Sequence, residues 1–157
     1  VEITETIAPL IIRRKEYRQD SGGAGQYRGG LGQIMEIEHA EQASFVVSAM
    51  FDRILNPARG RSGGALGGAG VVRLGSGPAL AGKGRQPIPP ADSLFLEMPG
   101  GGGLGDPRQR DPGAVARDVR DGFVSTCAAR DDYGVVLGAD FEVDLPATAR
   151  LRLHQAV

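Results

Sequence analysis

Glycine constrains the fold of this chain more than any other feature of its sequence. The chain has 25 glycines and 10 prolines among 157 residues, a share close to that at which disorder becomes a realistic outcome. The glycines cluster between apolar segments, however, notably in residues 20–32, 56–70 and 99–105. We therefore expect a folded domain with many tight turns, in which close backbone packing or positive φ angles exclude a Cβ.

Short apolar segments bounded by turn residues predict a fold rich in β-strand. The predicted strands are residues 9–18, 33–39, 43–51, 71–74, 93–98 and 135–137. Residues 43–51 are β-branched and aromatic at their centre, so we expect that strand to be well buried. Residues 75–90 are predicted as turn and loop, because Ile88 is flanked by prolines and therefore lies outside any central strand.

Helix signals appear late in the chain. Asp111 is a predicted N-cap followed by proline, and Gly122 suits the left-handed position after the last turn. A second predicted helix is capped by Ser125 and ends at Gly134. The expected fold is therefore a β-rich mixed α+β domain, spanning residues 1–157, with Gly-rich loops and two short helices near its C-terminal end.

Composition excludes several classes of partner. Lys plus Arg total 18 against 19 for Asp plus Glu, so no net field favours nucleic acid or an anionic membrane. The apolar runs are far shorter than the roughly 20 residues of a membrane helix, and the acidic N-terminus does not resemble a signal peptide. Without tryptophan, the core is predicted to be thin and completed by something outside this chain. We expect a soluble cytoplasmic protein.

Cysteine, histidine and glycine motifs give no complete site. Cys127 is the single cysteine, which excludes an internal disulfide; we expect it to be a small buried hydrophobe. His39 and His154 lack a ligand spacing, so no metal site is predicted in this chain. Residues 100–105 match G-x-G-x-x-G, but no helix begins inside that loop, which argues against a dinucleotide site. Residues 82–84 read Gly-Lys-Gly and form no Walker A motif.

Two polar positions remain as candidates for ligand binding. Asp52 and Arg53 follow a predicted strand. They either form a structural ion pair, or Arg53 binds a substrate carboxylate through two hydrogen bonds from its guanidinium group. Arg28, between Tyr27 and Gly29, has the same two interpretations. From the residues alone, the chain therefore has no complete catalytic set.

Four motifs, in order, resemble those of the hydantoinase B/oxoprolinase family. Residues 20–32 read DSGGAGQYRGGLG, similar to the family pattern D-S-G-G-x-G-x-[YF]-R-G-G-x-G. The other three are Asp52-Arg53 with the glycine-rich stretch to residue 64, PGGGGLGDP at 99–107, and the helical stretch 118–136. Two residues depart from the family pattern: Leu104 replaces a common aromatic, and Arg61 a common apolar residue.

The resemblance implies a function for the whole protein to which this chain belongs. Family members are several times longer, so the chain corresponds to their C-terminal portion. It implies a hetero-oligomer in which a hydantoinase A-type subunit carries ATP and Mg and phosphorylates a small-molecule substrate. The B-type subunit then handles the activated cyclic amide, of the hydantoin or 5-oxoproline type. The alternatives are a related ATP-dependent ketone carboxylase and a non-catalytic scaffold domain.

The same resemblance places metal ligands in the missing N-terminal portion of the B-type subunit, so no catalytic residue is transferred to this chain. A phosphorylated intermediate is stabilised by backbone N–H groups and arginines rather than by bulky side chains. We also expect a neighbouring molecule to lie against the bare amides of the glycine run. The candidate substrate-binding residues are Arg28, Asp52, Arg53, Gly100, Gly101, Gly102 and Gly103.

Overall fold

The computed structural model describes residues 2–154, which form two compact units, each made of three chain segments. Unit 1 comprises Val1–Arg18, Gly32–Asn56 and Ala69–Pro99. Unit 2 comprises Gln19–Leu31, Pro57–Gly68 and Gly100–Val157. The fold is α+β, as the sequence predicts. The assignment of all 157 residues to one domain portion stays a prediction.

Unit 1 consists of antiparallel β-structure and one short helix. Its elements are α1 (Glu2–Ile7), β1 (Leu10–Tyr17), β2 (Gln33–His39), β3 (Phe45–Met50), β4 (Val71–Leu74), β5 (Lys83–Ile88) and β6 (Ser93–Glu97). One sheet has the strand order β1-β2-β6-β4, and β3 pairs with β5 in a two-stranded ribbon. The strands predicted at 9–18, 33–39, 71–74 and 93–98 are thereby confirmed.

Side chains from alternate strand positions form the core of unit 1. Leu94 and Leu96 on β6 are buried and lie opposite Ile37 and Met35 on β2. Because side chains alternate between the faces of a sheet, these residues share one apolar face. Ile88 at the end of β5 is fully buried within the same cluster. The apolar core therefore joins the sheet to the β3–β5 ribbon.

Two predictions for this unit were wrong. Residues 83–88 form the strand β5 rather than a loop, with Pro87 opposite Val46. Proline is tolerated there because each strand of a two-stranded ribbon has an open edge that requires no N–H donor. The strand β3 is not well buried: Ala49 is buried, but Val46 and Met50 are exposed. Its alternation shows that one face of the ribbon packs on the core of unit 1.

Unit 2 carries the other helices. They are a 3₁₀ turn at Pro107–Gln109, α2 (Pro112–Arg120), α3 (Thr126–Asp131) and α4 (Leu145–His154). The predicted caps are confirmed: the Asp111 carboxylate accepts from Ala114 N at 3.0 Å, and Ser125 Oγ accepts from Ala128 N at 3.0 Å. Gly122 and Gly134 have φ angles of +75° and +62°, as expected after a last helical turn.

The core of unit 2 lies between α2, α3 and the segments that follow them. Its buried side chains are Ala24, Val115, Val119, Val124, Ala129, Tyr133 and Val135. Burial also raises the pKa of Tyr133 to about 12. Within residues 2–154, no helix combines the length and apolarity needed to cross a bilayer.

Two predictions in this region were wrong. Cys127 is exposed, because α3 turns its Ala129 side toward the core. Residues 135–137 do not form a strand; Leu137 makes an isolated bridge with Val143. Two helices were not predicted, α1 in unit 1 and α4 in unit 2. For α4 a capping signal was present, since the Asp144 carboxylate accepts from Ala147 N at 2.9 Å.

Candidate functional site

A cavity in unit 1 begins where β3 ends, beside the predicted pair Asp52 and Arg53. Its volume is ≈ 340 Å³. Its lining residues are Phe51, Asp52, Arg53, Ile54, Leu55, Asn56, Gly82 and Lys83. The volume is in the range of small-molecule sites in proteins.

Three local features hold the walls of this cavity in place. Phe51 N donates to Gly82 O at 2.9 Å, which continues the β3–β5 pairing beyond Met50. Arg53 has a φ angle of +60°, and its carbonyl accepts from Gly70 N at 3.0 Å. A Cβ at position 82 would overlap Cδ1 of Ile54, so a residue larger than glycine would displace the end of that side chain.

The charges around the cavity do not cancel. Lys83 Nζ lies 2.6 Å from Asp52 Oδ1 in an ion pair at the solvent-exposed rim. The pKa of Asp52 is lowered, first by this hydrogen bond and then by the charges of Lys83 and Arg53. Because both partners are exposed, water screens the pair strongly. Among the described residues, the Arg53 guanidinium has no ion-pair partner, so the lining side chains carry one positive charge in excess.

Arg28 occupies a different setting, inside unit 2. Its Nε lies 3.1 Å from Asp118 Oδ2, and its Nη2 lies 3.4 Å from Oδ1 of the same carboxylate. Nη1 donates to the carbonyl of Gly29, and the guanidinium lies 5.5 Å from the Phe123 ring centre. All three guanidinium nitrogens therefore donate within unit 2. A substrate contact by Arg28 stays a prediction.

A second arginine shares the same carboxylate. Arg110 Nη2 lies 2.8 Å from Asp118 Oδ2, and its Nη1 donates to the carbonyl of Gln26. Arg110 Nε is buried and has no acceptor among the residues that the structure describes. Asp118 is thus a buried carboxylate between two guanidinium groups, an arrangement in which removal of the carboxylate would leave positive charge without compensation.

The glycine run at 100–103 lies at the centre of a structure that we call the glycine layer, made of residues 20–31, 57–68 and 100–105. Its central segment hydrogen-bonds to both neighbours. Gly101 N donates to Gly30 O at 2.8 Å, and Gly103 N donates to Ala65 O at 3.0 Å. Gly100 N donates to Gly68 O at 3.0 Å. The amides of these three glycines are therefore bonded within the chain.

The glycine layer also explains why side chains are excluded. A Cβ at Gly100, Gly102 or Gly103 would overlap a backbone carbonyl of Ser21, Arg59 or Ala24, respectively. The expectation that a neighbouring molecule explains the bare run was wrong at these positions, because the neighbour is the chain's own backbone. Substrate binding by Gly100–Gly103 stays a prediction.

The two departures from the family pattern meet in the glycine layer. Leu104 forms one β-bridge with Arg61 and another with Tyr27. Tyr27 and Leu104 are 64% and 47% exposed, and Arg61 is exposed as well. Bridge partners present their side chains on the same side of the backbone. These three residues therefore form a surface row of an aromatic ring, an aliphatic side chain and a guanidinium.

Sequence reasoning missed Lys83, Asn56, Asp118 and Arg110. In the sequence Lys83 stands out only as the lysine of Gly-Lys-Gly at residues 82–84, whereas its pairing opposite Met50 in the β3–β5 ribbon places it beside Asp52. Asp118 lies on the buried face of α2 together with Val115 and Val119. A carboxylate among apolar residues on one helix face was the sequence signal that could have identified it. The side chain of His154 lies outside the described residues, and the absence of a metal site stays a prediction.

Comparison with known proteins identifies the class. Residues 1–107 match the family profile described as Hydantoinase B/oxoprolinase. The chain therefore belongs to the hydantoinase B/oxoprolinase family. The match covers the glycine layer and the cavity beside Arg53, which confirms the resemblance seen in the motifs.

Two similar proteins and one solved structure refine this placement. The chain is 35% identical to the beta chain of caprolactamase of Pseudomonas jessenii over 94% of its own length and 27% of that protein. It is 31% identical to a putative D-/L-hydantoinase B-type subunit of Pseudomonas sp. (strain NS671), over 97% and 26%. The crystal structure of ATP-dependent caprolactamase from P. jessenii superposes with a TM-score of 0.79 at 30% identity, covering 98% and 28%. The chain spans about a quarter of the length of these relatives.

Proposed function

We propose that this chain is part of the B-type subunit of an ATP-dependent cyclic-amide hydrolase and contributes a substrate pocket beside Arg53. Family membership supports the class, and the two similar subunits are named for caprolactam and hydantoin chemistry. The observation that carries the proposal is the cavity of ≈ 340 Å³, with apolar walls and charged groups at the end of β3.

The proposed reaction assigns different tasks to different polypeptides. An A-type subunit takes up ATP and Mg and phosphorylates the amide oxygen, which replaces amide resonance by a good leaving group. The B-type subunit holds this intermediate while water adds to the former carbonyl carbon. The ring C–N bond then breaks as its nitrogen takes a proton, and a second water hydrolyses the resulting acyl phosphate to the ring-opened carboxylate and phosphate. The N-terminal portion of the subunit supplies any metal. Arg53, beside the neutral Asp52–Lys83 ion pair, provides positive charge for such an anion. Arg28 and Gly100–Gly103 are retained as further candidates for substrate binding.

The proposed assembly is a hetero-oligomer in the cytoplasm, where ATP is available. The naming of both relatives as subunits supports an assembly of different chains. The near-balance of 18 basic and 19 acidic residues supports a small-molecule substrate rather than nucleic acid.

Turnover in the assembled complex tests the proposal. The complex is given ATP with caprolactam, hydantoin or 5-oxoproline, and ADP release is measured together with ring opening. In Arg53→Gln we expect kcat/KM for the accepted substrate to fall by about tenfold, the loss of one charge-assisted hydrogen bond. The matched control is Arg85→Gln, an exposed arginine on β5 outside the cavity, for which we expect a change below about twofold.

The same assay separates the alternatives. A complex that couples ATP hydrolysis to none of the three cyclic amides, but consumes bicarbonate with acetone, would make the chain part of a carboxylase. Unchanged kinetics in Arg53→Gln, with activity lost when this chain is omitted, would make it a scaffold domain. Either result would overturn the proposed pocket.

A further inference from the structure

We propose that the open edge of β3 is an interaction surface for a second copy of this chain. In this pairing the two β3 strands run antiparallel, with Ser48 of one copy opposite Ser48 of the other. The two ribbons then form one continuous sheet with the strand order β5-β3-β3-β5. Because Phe51, which follows β3, lines the cavity beside Arg53, the second copy reaches the rim of that cavity.

The main chain of β3 has an unpaired edge. Phe51 N donates to Gly82 O, which makes these two residues a hydrogen-bonded pair of the ribbon. Such pairs alternate along an antiparallel ribbon, so the N–H and C=O groups of Val46, Ser48 and Met50 point away from β5. Among the described residues, none donates to these groups or accepts from them. A row of unpaired main-chain groups binds an extended strand of another chain.

Within the described part of unit 1, the other edge strands are each protected against such pairing. The strand β1 carries charged side chains at every position of residues 13–16. Along β4, Leu80 N donates to Val72 O at 2.9 Å. On β5, Pro87 has no N–H at the open edge. The strand β3 contains neither a proline nor a charged residue from Phe45 to Met50, so two copies meet there without like charges.

The register about Ser48 matches the exposed side chains of β3. It sets Val46 of one copy opposite Met50 of the other, so all the outward-pointing residues of both strands find a main-chain partner. Val46 and Met50 are 50% and 81% exposed, and the pairing removes part of this apolar surface from water. The two Ser48 hydroxyls meet at the centre, where they can hydrogen-bond across the strands. Because a two-fold axis passes through this position, the pairing closes at two copies.

The same register matches the side chains on the core side of the ribbon. It sets Phe45 of one copy opposite Phe51 of the other, and Val47 opposite Ala49. Phe45, Val47 and Phe51 are only partly buried against the core of unit 1. Pairing therefore extends the apolar cluster of each copy. A shift of one residue would set core-facing side chains opposite exposed ones, so the alternation along β3 fixes the register.

Sedimentation of the full chain tests the pairing. We expect a monomer–dimer equilibrium in which the dimer fraction rises with protein concentration. In Ser48→Lys two like charges lie opposite each other, so the dimer dissociation constant should rise by at least about fivefold. Ser48 is exposed, so we expect this variant to remain folded, which circular dichroism checks. The matched control is Ala139→Lys, the same added charge in an exposed turn of unit 2, which should dimerise like the wild-type chain.

A charge swap identifies the residue at the axis. Ser48→Glu alone should dissociate as Ser48→Lys does, because the added charge again faces itself. An equimolar mixture of the two variants should associate at least as tightly as the wild-type chain, since opposite charges then face each other. A dimer that Ser48→Lys does not weaken, or a mixture that stays monomeric, would overturn the register.

A disulfide gives a direct measure of the distance. In a Cys127→Ser background, which removes the single native cysteine, Ser48→Cys should link two copies under mild oxidation. The Cα atoms of a hydrogen-bonded antiparallel pair lie about 5.5 Å apart, within the range that a disulfide spans. Ala139→Cys in the same background should remain unlinked.

Hydrogen exchange separates a second copy from another occupant of the edge. The amides of Val46, Ser48 and Met50 should exchange slowly in the wild-type dimer and rapidly in Ser48→Lys. A chain that stays monomeric at millimolar concentration would overturn the proposal. Protection of these amides only in the assembled complex would assign the edge of β3 to a strand of a different polypeptide.

Discussion

The two units of the chain reach a packed interior by opposite means. In unit 1, branched and aromatic side chains from alternate strand positions meet in a cluster that includes Ile88, Leu94 and Leu96. In unit 2, an apolar cluster around Tyr133 accompanies the glycine layer, in which backbone lies directly against backbone. The comparison shows that high glycine content can produce close packing rather than disorder, provided that the glycines face one another.

The difference has consequences for substitution. A side-chain core loses stability gradually as methylene groups are removed, because the surroundings relax in part. At Gly100, Gly102 and Gly103 the glycine layer has no side chain to remove and no space to add one, since a Cβ there would meet backbone carbonyl groups. Unit 2 should therefore be sensitive to added atoms, and unit 1 to lost atoms.

The largest expected effect is for Gly100→Ala. Its Cβ would overlap the Ser21 carbonyl, which also accepts from Gly68 N, so relief requires the layer to separate. We expect the free energy of unfolding to fall by about 4 kcal/mol. Urea denaturation followed by circular dichroism, with hydrogen exchange of the unit 2 amides, measures this change.

Gly30→Ala provides the control within the same layer. Gly30 is exposed, and among the described residues no atom outside its immediate chain neighbours comes within 4 Å of a Cβ there. Its stability should change by less than about 0.5 kcal/mol. Equal stability of both variants would show that the glycine layer is not closely packed, and the contrast between the units would fail.

The second-largest expected loss of stability is for a substitution in the core of unit 1. Ile88→Ala removes most of a fully buried side chain at the end of β5 and should destabilise the chain by about 3 kcal/mol. Thermal unfolding measures it, and Val46→Ala, at an exposed position of β3, should cost less than about 1 kcal/mol. A similar cost for the two would mean that the ribbon does not pack on the core of unit 1.

Local signals account for what the sequence predicted correctly. The caps at Asp111 and Ser125 and the turns at Gly122 and Gly134 depend on a few adjacent residues, and each is confirmed. The strand β5 was missed because its partner, β3, lies more than 30 residues earlier and tolerates Pro87 at an open edge. Pairing at that distance leaves no periodic trace in the sequence.

The candidate site, like the fold, was predicted where it depends on adjacent residues and was missed where it depends on distant ones. Asp52 and Arg53 were identified from their position after a strand, and the structure places both at a cavity. The partner of Asp52 was not predictable, because Lys83 reaches it through strand pairing. The contacts of the glycine run were not predictable for the same reason, since the segments that cover residues 100–103 come from 20–31 and 57–68.

The smallest expected change in stability is for removal of the negative charge of Asp132 in unit 2. Desolvation raises the pKa of Asp132, and the negative charges of Asp20 and Asp131 raise it further. The folded state therefore binds this proton more tightly than the unfolded state, so the carboxylate destabilises the fold at neutral pH. This penalty is absent below the unfolded pKa, and it develops as pH rises through the interval up to the folded pKa.

Asp132→Asn should consequently be more stable than the wild-type chain at pH 7, by only about 0.3 kcal/mol because the group is exposed to solvent. The gain should vanish when denaturation is repeated below about pH 4, where both states carry the proton. Asp140→Asn, an exposed site in the same unit, controls for the general loss of a carboxylate. A gain that persists unchanged in acid would assign the effect to something other than proton binding by Asp132.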